Sequence, residues 1–250
     1  MKCNRCRGSP QAVYCVRLFG GFALSHHDNP VHLPHGNQRL VAFVALGGLV
    51  CRSEVAGVLW PEVDDARANG CLRTAIWQIH RCCPRLLVSY GKELGLSDDT
   101  YVDTIDFEAL AHCVFREPQS VPLVELTHDW IRKRLLPGWY DEWVIVAQER
   151  LWQLQLHVLE AAGEELLCRG KPGPALWAAS SAANAEPLRE SAHRLVVRIH
   201  ISEGNLSAAT AHYQNYVSML RRELGVQPTK QFQALMDGFS DSLQSRKQWH

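Results

Sequence analysis

Two glycines 34 residues apart, Gly170 and Gly204, each stand five positions before an alanine, Ala175 and Ala209. Repetition at that period is the mark of stacked helical hairpins. A glycine ends one helix, a small residue sits early in the next where paired helices touch, and each pair buries its apolar face on its neighbour. On this reading Pro187 begins the second repeat, Gly225-Val226-Gln227-Pro228 ends it, and residues 229–243 form a capping helix. Two repeats are too few to stand alone, so the apolar text of residues 106–168 has to complete the stack. There Phe107, Leu110 and Val114 mark one short helix and residues 121–126 another. Leu136-Pro137-Gly138-Trp139-Tyr140-Asp141-Glu142-Trp143 is an aromatic connector, and a long helix runs over residues 143–169.

The first hundred residues have a different grammar. Residues 13–19 alternate as a strand, Gly20-Gly21 turns the chain into Phe22-Ala23-Leu24, and His27-Asp28-Asn29-Pro30 turns it again into a third strand, Val31-His32-Leu33. Three helices are expected next. The first covers residues 38–46 and closes at Gly47-Gly48. The second starts with Ser53 as N-cap and stops at Trp60-Pro61. The third is capped by Asp64 or Asp65 and halted by Pro84. Leu86-Leu87-Val88 and Leu94-Gly95-Leu96 around Tyr90-Gly91-Lys92-Glu93 make a hairpin. Sheet, three helices and hairpin is the order of a winged helix-turn-helix. The fold class expected is therefore mainly α with a small β part: an N-terminal winged helix-turn-helix with antiparallel sheet and hairpin wing, then an all-α tetratricopeptide-like domain. The boundaries fall at a disordered lead-in over residues 1–10, the winged helix over 11–105 and the helical domain over 106–250.

The third helix carries the candidate chemistry. Leu72, Ile76 and Ile79 recur at i, i+4, i+7 as a core stripe, while Asn69, Arg73, Thr74, Trp77 and Arg81 fall elsewhere. Set in a major groove, Arg73 is the candidate for guanine O6/N7. Thr74 faces a thymine methyl, a phosphate or solvent, and Trp77 either packs on sugar-phosphate or completes the core. Arg67, Asn69 and Arg81 are candidate phosphate ligands. Ser53 and Arg52 stand where a helix start can point at a phosphate, Lys92 stands at the hairpin tip, and Arg39 is a weaker candidate. Gly70 would cost about 1 kcal/mol inside a helix, which favours a helix beginning after it.

Composition narrows the function classes. The 26 basic and 26 acidic residues cancel, and residues 1–105 hold 11 against 9, so phosphate affinity has to come from local clustering and be salt-sensitive. No stretch approaches a membrane span, and Met1–Pro10 has no secretory h-region. Nine cysteines without a secretion signal point to free thiols in a reducing cytoplasm. Cys3-Asn4-Arg5-Cys6 has no second pair at ligand spacing, and no histidine motif appears, so no metal and no cofactor are expected. Nor is there a nucleophile–base pair or paired carboxylates, so the chain is not expected to be an enzyme.

Five words in order carry a resemblance: Leu18-Phe19-Gly20-Gly21-Phe22, residues 53–61 from Ser53 to Pro61, residues 72–77 from Leu72 to Trp77, residues 136–143 from Leu136 to Trp143, and residues 221–229 from Arg221 to Thr229. The chain resembles the Streptomyces antibiotic regulatory proteins, with an OmpR-like winged helix followed by a bacterial transcriptional activator domain. The resemblance implies an activator that binds direct repeats in promoter DNA as a homodimer or side-by-side protomers. It also implies recruitment of RNA polymerase holoenzyme through its sigma factor, in the cytoplasm at the nucleoid and away from membranes, for a secondary-metabolite pathway. No G-x-x-x-x-G-K-[ST] occurs, so no NTPase is expected. Two departures stand out: Cys71 replaces the asparagine common before Leu72-Arg73, and Gln78 and His80 stand where relatives carry cations. They leave open a protein-interaction adaptor whose winged helix binds DNA weakly, and a regulator sensing a ligand or oxidant.

Overall fold

The computed structural model describes residues 12–122 and 133–247, with side chains described as far as residue 238. It is mainly helical, with two small sheets confined to the N-terminal part. The chain divides into two compact units, Met1–Cys113 with Asp129–Leu154, and Val114–His128 with Gln155–His250.

In the first unit, β1 (Tyr14–Arg17) pairs antiparallel with β2 (Ala23–His26), which pairs with β3 (Asn29–Pro30). Alternation puts Tyr14, Val16 and Leu18 in the core and leaves Arg17 outside. His27 and Asp28, at φ 43° and 65°, form the left-handed two-residue turn that a tight hairpin of this twist requires. The third strand is therefore shorter and earlier than Val31-His32-Leu33. Pro30 has no N–H for the ladder, and beyond it Val31 N–H donates to the Leu24 carbonyl without a continuing strand.

Helix α1 (His35–Gly47) is followed by β4 (Val50–Cys51), α2 (Arg52–Leu59), α3 (Asp65–Cys82), the hairpin β5 (Leu87–Tyr90) and β6 (Glu93–Leu96), and β7 (Thr100–Val102). β4 joins the hairpin in the order β4-β6-β5, and β7 lies parallel to β1 at the edge of the first sheet. Ser53 is not the N-cap of α2. Cys51 occupies that position with extended geometry because β4 pairs it with Glu93, and the Arg52 amide donates to the Lys92 carbonyl at 3.0 Å, so the helix starts one residue earlier. α4 (Asp103–Arg116) begins on a buried carboxylate. Asp103 accepts the Leu18 N–H at 2.9 Å and the Phe19 N–H at 3.0 Å. Burial raises its pKa against the pull of those backbone donors.

Residues 133–154 complete this unit. Leu135 bridges Phe19, the Leu136 N–H donates to the Leu18 carbonyl at 2.9 Å, and both leucines are buried. Trp139 stacks on Phe22 and meets His35 edge-on, Trp143 meets Phe43, and Asp141 pairs with Arg39. Trp139 and Trp143 of the connector are packing, Tyr140 is exposed, and Arg39 is committed to the pair with Asp141. α5 (Glu142–Cys168) starts here.

The second unit holds the later part of α5, then α6 (Pro172–Ala185), α7 (Glu190–Ser202), α8 (Leu206–Leu224) and α9 (Lys230–Lys247). Gly170 and Gly204 take φ 67° and 74°, and Ala175 and Ala209 are fully buried, as the 34-residue spacing requires. Pro187 lies in the turn between α6 and α7 rather than at the head of a repeat. The second hairpin opens at Leu206. The side of α6 with Ala175, Ala178, Ala179 and Ala182 is buried. A Cβ on Gly163 of α5 would stand 2.9 Å from the Leu195 side chain and 3.4 Å from the Ala175 carbonyl, so three helices converge at that point. α9 closes the stack with Phe232 and Met236 against Val197, Tyr216 and Leu220. Of the short helix expected over residues 121–126, residues 123–126 lie outside the described residues; Val121 itself is non-helical.

Candidate nucleic-acid interface

The side chain of Asp64 accepts the Arg67 N–H at 2.9 Å, which sets the start of α3, and its basic last turn carries His80 and Arg81 near the helix's negative end. The cap holds the helix start at Asp65, so Gly70 lies in its interior instead of before it, at a propensity cost of about 1 kcal/mol. Ala68, Leu72, Ala75, Ile76 and Ile79 form one buried face. At 100° per residue the opposite face is Arg67, Gly70, Thr74, Trp77 and Arg81, with Arg73 beside them.

Burial removes one alternative. Trp77 is 58% exposed, so it does not complete the core. The Arg81 guanidinium lies 5.0 Å from its ring centre. Arg73 is exposed, with no hydrogen bond or ion pair among the described residues. The Thr74 hydroxyl donates to the Gly70 carbonyl at 3.0 Å, and the Asn69 amide donates to the Asp65 carbonyl at 2.7 Å on the half-buried flank. Arg67 lies 3.5 Å from Asp64, with both side chains well exposed, a pairing worth little in water.

Gln78 and His80, which stand where cations were expected, serve the fold. Gln78 Oε1 accepts from Asn37 Nδ2 at 3.1 Å, fastening α3 to α1. His80 Nε2 lies 3.0 Å from the Leu87 carbonyl, fastening α3 to the hairpin. Cys71 is half-buried beside the core stripe.

A second group forms at the start of α2. Arg52 donates from Nη1 to Ser89 Oγ at 3.0 Å, and its amide holds the Lys92 carbonyl at the wing tip. Ser53 and Lys92 are exposed. The structure thus gathers Arg52, Ser53 and Lys92 in one place, and Arg67, Arg73, Thr74, Trp77 and Arg81 along one helix face. Sequence reasoning missed β4, whose pairing with the hairpin makes the first of these groups.

Among the described residues no group of three or more His, Cys, Asp or Glu could hold a metal ion, and no helix is long and apolar enough to cross a membrane. Cys15, Cys51, Cys71, Cys82, Cys83 and Cys168 are free thiols. Burial first, then neighbouring Cys82, pushes the Cys83 thiol up to about 12, which leaves it unreactive.

Comparison with known proteins bears on both halves. The family described as the bacterial transcriptional activator domain matches residues 132–238. The fold is similar to that of Mycobacterium tuberculosis EmbR, solved in complex with a low-affinity phosphopeptide. The TM-score is 0.70 at 15% sequence identity, over 92% of this chain and 65% of that one. This chain therefore spans about 65% of the length of its structural relative. No curated protein matches its sequence at a significant level.

Proposed function

We propose that the chain is a transcriptional regulator of the Streptomyces antibiotic regulatory protein type, an activator that grips promoter DNA with α3; the activator-domain match over residues 132–238 and the EmbR-like fold support this reading. The observation that carries the reading is the outward face of α3. It holds an uncommitted Arg73 and a large exposed Trp77, flanked by Arg67 and Arg81, on a helix whose opposite face is locked into the core. An indole left in water on one stripe with guanidinium groups suits a major groove, which offers base edges to both and phosphates to the flanking cations.

Arg73 reads a guanine edge. Arg67 and Arg81 hold phosphates on the flanks, and Arg52, Ser53 and Lys92 hold the backbone from the α2 start and the wing. Asn69 acts from the flank, its amide already bonded within the helix. Residues 11–105 serve as the DNA-binding domain and residues 106–250 as the activator domain that recruits RNA polymerase holoenzyme through its sigma factor. Protomers bind side by side on direct repeats of a secondary-metabolite promoter. The work is binding, with no catalytic step, and its place is the cytoplasm at the nucleoid, a setting the free thiols suit.

The test is a gel shift with the full chain on a promoter fragment carrying two direct repeats. A shifted complex that Arg73→Ala deprives of its site preference supports the reading; equal binding to any duplex by both proteins overturns the residue assignment. One observation favours an adaptor as the second reading: Asp64 and Asp65 crowd the α3 start, and Asp64 pairs with Arg67, in a chain of zero net charge. An adaptor would hold a protein partner and show no salt-dependent affinity for DNA.

A further inference from the structure

The hydrogen-bonding groups along α3 are largely spent on the protein itself. Thr74 donates its hydroxyl to Gly70, Asn69 donates its amide to Asp65, Gln78 accepts from Asn37, and His80 holds Leu87. Along the middle of the outward face this leaves a strip with little polar character: Gly70 with no side chain, Thr74 with its hydroxyl engaged, and the Trp77 ring. Nothing but the tip of Arg73 comes within 4 Å of where a Gly70 side chain would begin, so a partner can approach the helix backbone there. Arg81 covers the indole at 5.0 Å and holds it against free rotation.

Apolar centre and cationic rim together fit one chemistry. The rim suits a polyanion. The major groove offers a single apolar group, the thymine C5-methyl, while every other feature of its base edges asks for a donor or acceptor. We infer that Trp77, with Thr74 and Gly70, reads thymine methyl groups, and that Arg73 reads a guanine close by. This inference rests on the proposal that α3 enters a major groove. Four residues of helix rise about 6 Å, and successive base pairs are about 3.4 Å apart, so the guanine and the thymine lie about two base pairs apart. The specificity is a mixed one, polar at one base pair and apolar about two away, and it assigns Trp77 to base reading instead of sugar-phosphate packing.

The experiment uses the full chain and a duplex obtained by selection from random sequence. Each thymine in the selected site is replaced in turn by uracil, which differs only by the missing methyl, and affinity is read by fluorescence anisotropy. For the wild type, uracil at one position near the guanine lowers affinity about fourfold, the worth of one buried methyl group. Trp77→Ala binds more weakly and is indifferent to uracil at that position. Arg73→Ala loses the guanine preference and keeps the uracil effect. Trp77 is exposed, so its removal leaves the fold intact, and an unchanged thermal melt checks this. A wild type indifferent to uracil at every thymine, or a Trp77→Ala variant as sensitive as the wild type, overturns the inference while leaving DNA binding in place. Failure to select any duplex, with no salt-dependent affinity, overturns the functional reading together with it.

Discussion

Acidification should loosen the second unit through one pair of rings. His193 Nδ1 lies 2.9 Å from His212 Nε2, His193 Nε2 lies 2.9 Å from the Pro187 carbonyl, and His193 stacks on Tyr216 at 4.3 Å. A carbonyl only accepts, so His193 carries its proton on Nε2 and accepts at Nδ1 from the His212 N–H. A second proton on His193 sets two N–H groups face to face. Burial first, then the charges of His193 and His200, holds the pKa of His212 down to about 4, and burial lowers that of His193 as well. The folded pKa lies below that of the unfolded chain, so the unfolded state binds more protons, and stability present at neutral pH is lost as pH falls from about 6.5 through about 4. For His212 alone linkage gives about 2 kcal/mol at pH 5. The ring is only half-buried, and solvent screening brings this to about 1 kcal/mol. Urea unfolding followed by circular dichroism between pH 8 and pH 5 measures it. His212→Gln should be less stable at pH 8 by about 1 kcal/mol, for the lost hydrogen bond, but should lose less on acidification. Identical pH dependence in both proteins, or a His212 NMR titration at the ordinary histidine value, refutes the reasoning.

Other substitutions follow from the packing. Asp103→Ala strands the buried Leu18 and Phe19 N–H groups and should cost about 3 kcal/mol, seen as a lower thermal midpoint; a change below about 0.5 kcal/mol would contradict the pinning role. Gly163→Val places atoms against Leu195 and the Ala175 carbonyl and should destabilise by about 2 kcal/mol in the same assay. Gly70→Ala should raise stability by up to about 1 kcal/mol, since only the Arg73 tip lies near, and weaken DNA binding because the helix backbone loses its open approach.

Much of this was legible in the sequence, for identifiable reasons. The α3 core stripe and its Asp64 cap are local signals, and so is the spacing of Gly170 and Gly204. What could not be read depends on partners distant in the chain. β4 and β7 are two and three residues long, and they exist as strands only because β6 and β1 lie beside them. Asp103 reads as a loop carboxylate until Leu18 and Phe19, some 85 residues earlier, donate to it. The helical period sets Ile76 on the stripe and Trp77 off it, but whether another element covers the indole depends on distant packing, and the structure leaves Trp77 exposed. Gln78 and His80 look like lost cations, yet their hydrogen bonds to α1 and to the hairpin make them struts of α3.

The central claim is that α3 grips DNA with sequence preference. The measurement that tests it most directly is the affinity of the full chain for its selected duplex, and for a scrambled one, across a series of salt concentrations. With phosphates held by Arg52, Arg67, Arg81 and Lys92, the logarithm of the binding constant should fall with the logarithm of salt at a slope of about −3.6 per protomer. Arg73→Ala should keep nearly that slope while losing the preference for the selected site. A slope near zero, or an Arg73→Ala variant with undiminished preference, would contradict the account.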